Sequence, residues 1–187
     1  MADWWQAWRR SWADRQARTA SAHKLYEVIV SQAREPTFYA EWGVPDTRAG
    51  RLEMVNLHAI LAMRRLRTAG PGGEQLGQSL FDLLFADLDQ HLREWGVGDL
   101  SVGKHVKKLA ESFFGRAKAI DRPLDERDVT ALVEVLERNV FEGREGSPDG
   151  ARRLADYLLA QERYLASADE ILAGRLAFAP IGPAACG

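Results

Sequence analysis

The chain has 187 residues, a mass of 20.9 kDa and a net charge of −2, from 25 basic and 27 acidic side chains. Hydrophobic residues make up 46% of it, which excludes a disordered chain, and the near-neutral charge argues against a dedicated nucleic-acid binder. The single cysteine, Cys186, excludes an internal disulfide framework and a zinc ribbon. These values favour a globular protein of a reducing compartment, and we expect it in the cytoplasm.

The first twenty residues predict an amphipathic helix that is rich in tryptophan. Four tryptophans follow the i, i+1, i+4, i+8 spacing of one helical stripe, beside two arginines. The group consists of Trp4, Trp5, Trp8, Trp12, Arg9 and Arg10. Tryptophan prefers the bilayer interface and cations favour anionic headgroups, so we predict that these six side chains contact a membrane surface. The alternative is that the stripe packs on the folded domain.

After this extension, apolar residues recur at helical spacing in six segments separated by glycines and prolines. The segments are 22–34, capped by Ser21; a helix from Asp46, its cap, to Gly70; 74–95; 102–118, capped by Ser101; 125–141; and 149–173, with a bend at Ser167. We predict an all-α fold of about seven helices. Its single domain covers residues 21–175, between an N-terminal extension at 1–20 and a flexible tail at 176–187. No segment has the roughly 20 apolar residues that span a bilayer.

Catalytic and metal-binding patterns are sparse. No two of the four histidines lie three or four residues apart, and no serine lies in a nucleophile elbow. His58 lies on an apolar helix, which favours a hydrogen-bonded interior histidine over a catalyst. Asp87 and His91 are helical neighbours that supply at most two metal ligands, so a solvated acidic strip is the favoured interpretation. We predict a non-enzyme with no catalytic residue, cofactor or metal.

Basic residues concentrate in two segments. Residues 104–118 carry five cations and one anion, and residues 46–67 carry five arginines against Asp46 and Glu53. Each charge by itself is typical of a solvated helix face. Together, the two clusters predict a polarised surface that suits an acidic partner or an RNA backbone.

Two long motifs resemble a known family. They are FYAEWGVPDTRAGRLEM at residues 38–54 and REWGVGDLSVGKHVKKLAESFFGR at residues 93–116. With shorter stretches around them, the chain resembles the ubiquinol–cytochrome c chaperone family over about residues 25–140. Members of this family are bacterial and mitochondrial assembly factors of respiratory complex III.

The resemblance implies a non-enzymatic helical chaperone that binds and stabilises newly made cytochrome b. It implies a cytoplasmic protein that is peripheral on the inner membrane. Mitochondrial members act with a small partner protein near the ribosomal exit tunnel, so a small second assembly factor and the ribosome are further candidate partners.

Combined with the charge pattern, the resemblance suggests a client-binding surface on the two motifs. The predicted members are Trp42, Val44, Trp95, Arg48, Arg51, Lys104, Lys107 and Lys108. We expect the apolar side chains to contact the client directly and the basic ones to engage acidic loops or headgroups. The alternative is that GVPDT and GVGDL are structural turns, in which Asp46 or Asp99 caps a helix.

Two other functions stay open at this point. The first is a peripheral membrane or ribosome-binding module without a specific client, which the tryptophan stripe and the basic clusters also suit. The second is a helical enzyme that handles a metal or an isoprenoid, which the sparse ligand pattern disfavours.

Overall fold

The computed structural model describes residues 3–94, 98–141 and 148–181. Within these ranges the chain forms seven α-helices, one 3-10 turn at Ile171–Ala173 and no strand, so the all-α prediction is confirmed. The helices are α1 (Asp3–Ala33), α2 (Pro36–Ala40), α3 (Arg48–Arg67), α4 (Pro71–Glu94), α5 (Asp99–Glu126), α6 (Val129–Asn139) and α7 (Pro148–Leu165). Helix α3 lies at the centre, against α1, α4, α5 and α7.

Helix α1 is one continuous helix of 31 residues, where the sequence predicts two helices divided at Ser21. Ser21 does not act as a cap, because the helix continues through it. Residues 13–17 are all exposed, whereas Ala22, Leu25 and Ile29 are buried in the core. The boundary predicted after residue 20 therefore falls within α1, close to Ala22, where this helix begins to pack on the other helices.

Three helix ends differ from the prediction for local reasons. Thr47 caps α3 by accepting a hydrogen bond from the Gly50 amide at 3.1 Å, while the predicted cap, Asp46, pairs with Arg51. Helix α5 begins before Ser101, the predicted cap, and extends through Pro123. Its buried stripe continues to Leu124, and this packing offsets the backbone bond that the proline removes.

The segment after α7 also differs from the prediction. Helix α7 ends at Leu165, and a turn and the 3-10 turn replace the predicted bend at Ser167. Residues 176–181, expected in a flexible tail, lie against the helices instead. Gln161 donates to the Ala179 carbonyl at 2.9 Å and accepts from its amide at 2.8 Å, and Phe178 is buried. Residues 182–187 lie outside the described residues.

Helix α7 approaches the segment after α2 closely enough to require a glycine. A Cβ atom at Gly150 would lie 2.0 Å from the Trp42 carbonyl oxygen, far inside van der Waals contact. The absence of a side chain at Gly150 therefore sets how closely the first turn of α7 packs against Trp42.

Across the described ranges, none of the helices contains a stretch that is both long and apolar enough to cross a bilayer.

The variant Gly150→Ala tests this close packing. We expect it to lower the free energy of unfolding by about 2–3 kcal/mol, because its methyl group forces α7 away from Trp42. Gly115→Ala is the matched control: Gly115 is also helical, its added Cβ meets open space, and the change should stabilise the protein by about 0.5–1 kcal/mol. Urea unfolding measures both, and equal stability of Gly150→Ala and the wild type would contradict the packing argument.

Candidate interaction surface

An aromatic cluster reaches the surface between α4 and α5. Phe114 of α5 is the most exposed large hydrophobic side chain of the described residues, at 59%. It stacks on Phe81 of α4 with ring centroids 5.1 Å apart, and Phe81 contacts the buried rings of Phe85 at 4.4 Å and Phe113 at 5.8 Å. Phe81 and Phe114, called here the aromatic patch, are therefore supported from below by the core.

Lysines of α5 lie beside this patch. Lys107 and Lys118 are seven residues before and four residues after Phe114, so helical geometry places them on the same face. Lys104 and Lys108 are exposed near the start of the helix. Lys107 approaches Glu111 at 3.9 Å, whereas the described residues provide no carboxylate within ion-pair distance of Lys104, Lys108 or Lys118. These four side chains, called here the lysine row, present net positive charge to solvent.

Two predicted client contacts are buried in the core instead. Trp42 and Val44 are 7% and 2% exposed. Gly43 adopts a positive φ of 73°, and the chain then turns back so that the Val44 amide donates to the Phe38 carbonyl. Trp42 consequently packs edge-on against Phe38 and Tyr157, with centroids 5.2 and 5.7 Å away. Neither side chain is available to a client, and Trp95 lies outside the described residues.

The predicted arginine contacts are exposed at the start of α3. Arg51 pairs with Asp46 at 2.6 Å and lies 5.1 Å from the Tyr39 ring centre. The hydrogen bond and the charge of Asp46 raise the pKa of Arg51. Arg48 is also exposed. Of the predicted client-binding residues, the lysines of α5 are thus the cations that present the most unpaired charge.

Other arginines from the basic clusters hold helices together. Arg116 of α5 pairs with Glu53 of α3, and both side chains are mostly buried. Arg64 of α3 donates to Asp121 and Asp125 of α5 and to Glu162 of α7. Burial opposes its charge, but the three carboxylates outweigh that effect and raise the pKa of Arg64. These carboxylates are 57 to 98 residues from Arg64 in sequence, so the local sequence shows Arg64 only as a member of a basic cluster.

His58 lies inside the protein, as predicted. Its Nδ1 donates to the Met54 carbonyl at 2.7 Å, which leaves Nε2 to accept from the Tyr157 hydroxyl at 2.8 Å. The Tyr157 oxygen in turn accepts from Gln32 at 3.1 Å. Burial lowers the pKa of His58 to about 4 and raises the pKa of Tyr157. Both groups are therefore neutral at pH 7 and link α1, α3 and α7.

Asp87, one of the two candidate metal ligands, has a structural partner on another helix. Asp87 accepts from the Tyr26 hydroxyl of α1 at 2.7 Å, and the His91 ring lies 3.2 Å from the Asp87 carboxylate. Burial, followed by the Asp87 contact, raises the pKa of Tyr26. In the described part of the chain, no three His, Cys, Asp or Glu side chains converge into a metal site.

The N-terminal tryptophan stripe belongs to α1. The same continuous helix contains both the stripe and the buried residues from Ala22 onward. The members of the stripe are Trp4, Trp5, Trp8 and Trp12, with Arg9 and Arg10. The structure describes no side chains before residue 13, so the membrane contact of these six side chains stays a prediction.

Acid pH should destabilise the protein through His58. Its pKa is about 4 when folded and 6.5 when free, so the unfolded chain binds the additional proton first. The contribution of neutral His58 to the free energy of unfolding is fully present above about pH 6.5. It is lost as pH falls to about 4, which lowers the free energy of unfolding by about 3 kcal/mol. Urea unfolding across this range measures the loss.

The variant His58→Gln should reduce that pH dependence, although it is less stable at pH 7. His105→Gln, which removes an exposed histidine, should leave it unchanged. The same pH dependence in wild type and His58→Gln would show that another group is responsible.

Comparison with known proteins connects this fold to one family. The family model described as Ubiquinol-cytochrome C chaperone matches residues 40–178, which include α3 to α7 and the segment after α7 as far as Phe178. A solved structure described as the Cbp3 homolog from Brucella abortus is 39% identical, with a TM-score of 0.82 over 94% of this chain and 96% of that one. No curated protein matches the chain. Because the family model spans well over half of the sequence, the chain belongs to the ubiquinol–cytochrome c chaperone family.

Proposed function

We propose that this protein is an assembly chaperone of ubiquinol–cytochrome c reductase, complex III, and that it binds and stabilises newly made cytochrome b at the inner membrane. The observation that carries the proposal is the family match, which the similarity to the Cbp3 homolog extends over nearly the whole chain. The aromatic patch and the lysine row supply exposed contact groups that such a role requires.

A non-enzymatic role is part of this proposal. The described side chains with the most strongly shifted pKa values are His58, Tyr26, Tyr157 and Arg64. Shifted groups often mark catalytic sites, but each of these four contacts a side chain on another helix. Their environments are explained by helix packing, which supports a protein that acts by binding.

The tryptophan stripe supports a peripheral location beside the membrane. Residues 13–17 of α1 are exposed, and the buried face of the helix begins at Ala22. A helix with four tryptophans and neighbouring arginines suits the interface between water and lipid. The same observation also suits the second candidate function, a peripheral membrane or ribosome-binding module without a specific client.

Deletion of the gene tests the chaperone function. We expect the haem b absorbance of the assembled complex in membranes to fall at least several-fold, because unchaperoned cytochrome b is lost before assembly. The haem a absorbance of the terminal oxidase is the internal control, and a plasmid copy of the wild-type gene should restore haem b. Unchanged haem b would exclude the proposed function.

Crosslinking in native membranes separates the two candidate functions. A client-specific chaperone should enrich cytochrome b over other membrane proteins of similar abundance. A general membrane or ribosome-binding module should show no such preference.

Removal of residues 1–20 should weaken binding to anionic liposomes at least about tenfold, since it removes the tryptophans and several cations. The truncated protein should still fold, because the buried part of α1 begins at Ala22. A full-length variant with Trp4, Trp5, Trp8 and Trp12 replaced by serine tests the tryptophans alone. Equal sedimentation of the wild type and the truncated protein with liposomes would refute the membrane contact.

A further inference from the structure

We propose that the aromatic patch and the lysine row form a docking site for an amphipathic helix whose apolar ridge is flanked by acidic side chains. The inference rests on the proposed function in one respect, because the helix is assigned to a polypeptide partner in complex III assembly. The docking site itself follows from the exposed residues of α4 and α5.

The aromatic patch has the properties of a binding anchor. A phenylalanine that is 59% exposed gains little from folding, yet Phe114 is held in place by stacking on Phe81. Phe81 is in turn fixed by Phe85 and Phe113, whose rings are buried. A rigid aromatic side chain loses little conformational entropy when a partner covers it, so its burial contributes efficiently to affinity.

The lysine row indicates the charge of the partner. Along α5, Lys107 lies about 10 Å before Phe114 and Lys118 about 6 Å after it. Lys104 and Lys108 extend the positive charge toward the start of the helix. A helix that places apolar side chains on the patch would bring its acidic residues, one or two turns away, opposite these lysines. Such rim charges steer association and set its orientation.

Two exposed carboxylates beside the patch favour a polypeptide over a lipid surface. Asp82, next to Phe81 in sequence, is exposed and accepts a hydrogen bond from Gln78 at 2.7 Å. Glu111 of α5 is also exposed and lies on the lysine side of the patch, where it approaches Lys107 at 3.9 Å. An anionic bilayer pressed onto Phe114 would bring its headgroups against both carboxylates. A helix can instead place acidic residues on its lysine-facing flank and neutral or basic residues on the other.

Two synthetic amphipathic peptides of about 18 residues provide the probe. Both have a leucine ridge, which is flanked by glutamates in one peptide and by lysines in the other. Fluorescence anisotropy with the full-length protein should show that the glutamate peptide binds at least about tenfold more tightly. Phe114→Ser should weaken that binding about tenfold or more, and the double variant Lys107→Glu, Lys118→Glu should do the same.

Tyr164→Ser is the matched control, because Tyr164 is 47% exposed on α7, away from the lysine row. It should leave binding of the glutamate peptide unchanged. Thermal unfolding followed by circular dichroism should show that Phe114→Ser and Tyr164→Ser both remain folded. Equal binding of the two peptides, or unchanged binding to Phe114→Ser, would overturn the proposal.

Vesicles of phosphatidylglycerol and phosphatidylcholine provide the lipid arm of the test. If Phe114→Ser reduces sedimentation with vesicles and leaves peptide binding intact, the patch contacts lipid and the proposal is wrong.

A plasmid copy of the gene with Phe114→Ser, introduced into the deletion strain, tests the assignment of the partner. Low haem b there supports the assignment of the partner, and normal haem b overturns that assignment while the proposed function stands. Normal haem b in the deletion strain itself would remove the proposed function, whereas the peptide measurements would still test the docking site.

Discussion

The hydrogen bond from the Tyr157 hydroxyl to the buried ring of His58 is the constraint on which the arrangement of the helices depends. Both ring nitrogens of His58 and the Tyr157 hydroxyl have hydrogen-bond partners. His58 Nδ1 donates to the Met54 carbonyl of its own helix, and the Tyr157 oxygen also accepts from Gln32 of α1. An unpaired polar group in this position would cost about 1–3 kcal/mol, so α1, α3 and α7 are held at one relative position. The rings of Phe38 and Phe178 surround the pair and exclude water from it.

This core accounts for where the interaction surface lies. The stretch 38–42 covers the His58–Tyr157 pair with the rings of Phe38 and Trp42, and both of these rings are buried. Arg64 and Arg116 are likewise taken up by carboxylates of neighbouring helices, which suits the several donors of a guanidinium group. The lysines of α5 remain in solvent, where a strongly hydrated ammonium group is stable. The exposed contact groups are therefore concentrated on α5 beside Phe114.

The helices were predictable from local sequence because apolar spacing is a local property. The segment predicted over 125–141 contains α6, in which Leu132 and Leu136 are buried as the spacing indicates, although the helix begins only after its cap, Asp128. The division at Ser21 was wrong because a serine that suits a cap does not end a helix when packing continues beyond it. The partners of Arg64 had no local signal, since they approach it from distant parts of the chain. Phe114 was missed although α5 carried a signal for it: Phe113 continues the apolar spacing of Val106, Leu109 and Ile120, which leaves Phe114 outside the buried stripe.

The sequence by itself determined an all-α protein of the chaperone family, with a tryptophan-rich N-terminal helix, a buried histidine and a cluster of lysines. These features follow from composition, from periodicity and from motifs that are read along the chain. The tertiary structure alone decided which arginines pair across helices, that Trp42 and Val44 are buried, and that Phe114 stacks on Phe81 of α4. The physical reason is that burial and pairing depend on how each helix is rotated against its neighbours, and residues far apart in sequence set that rotation.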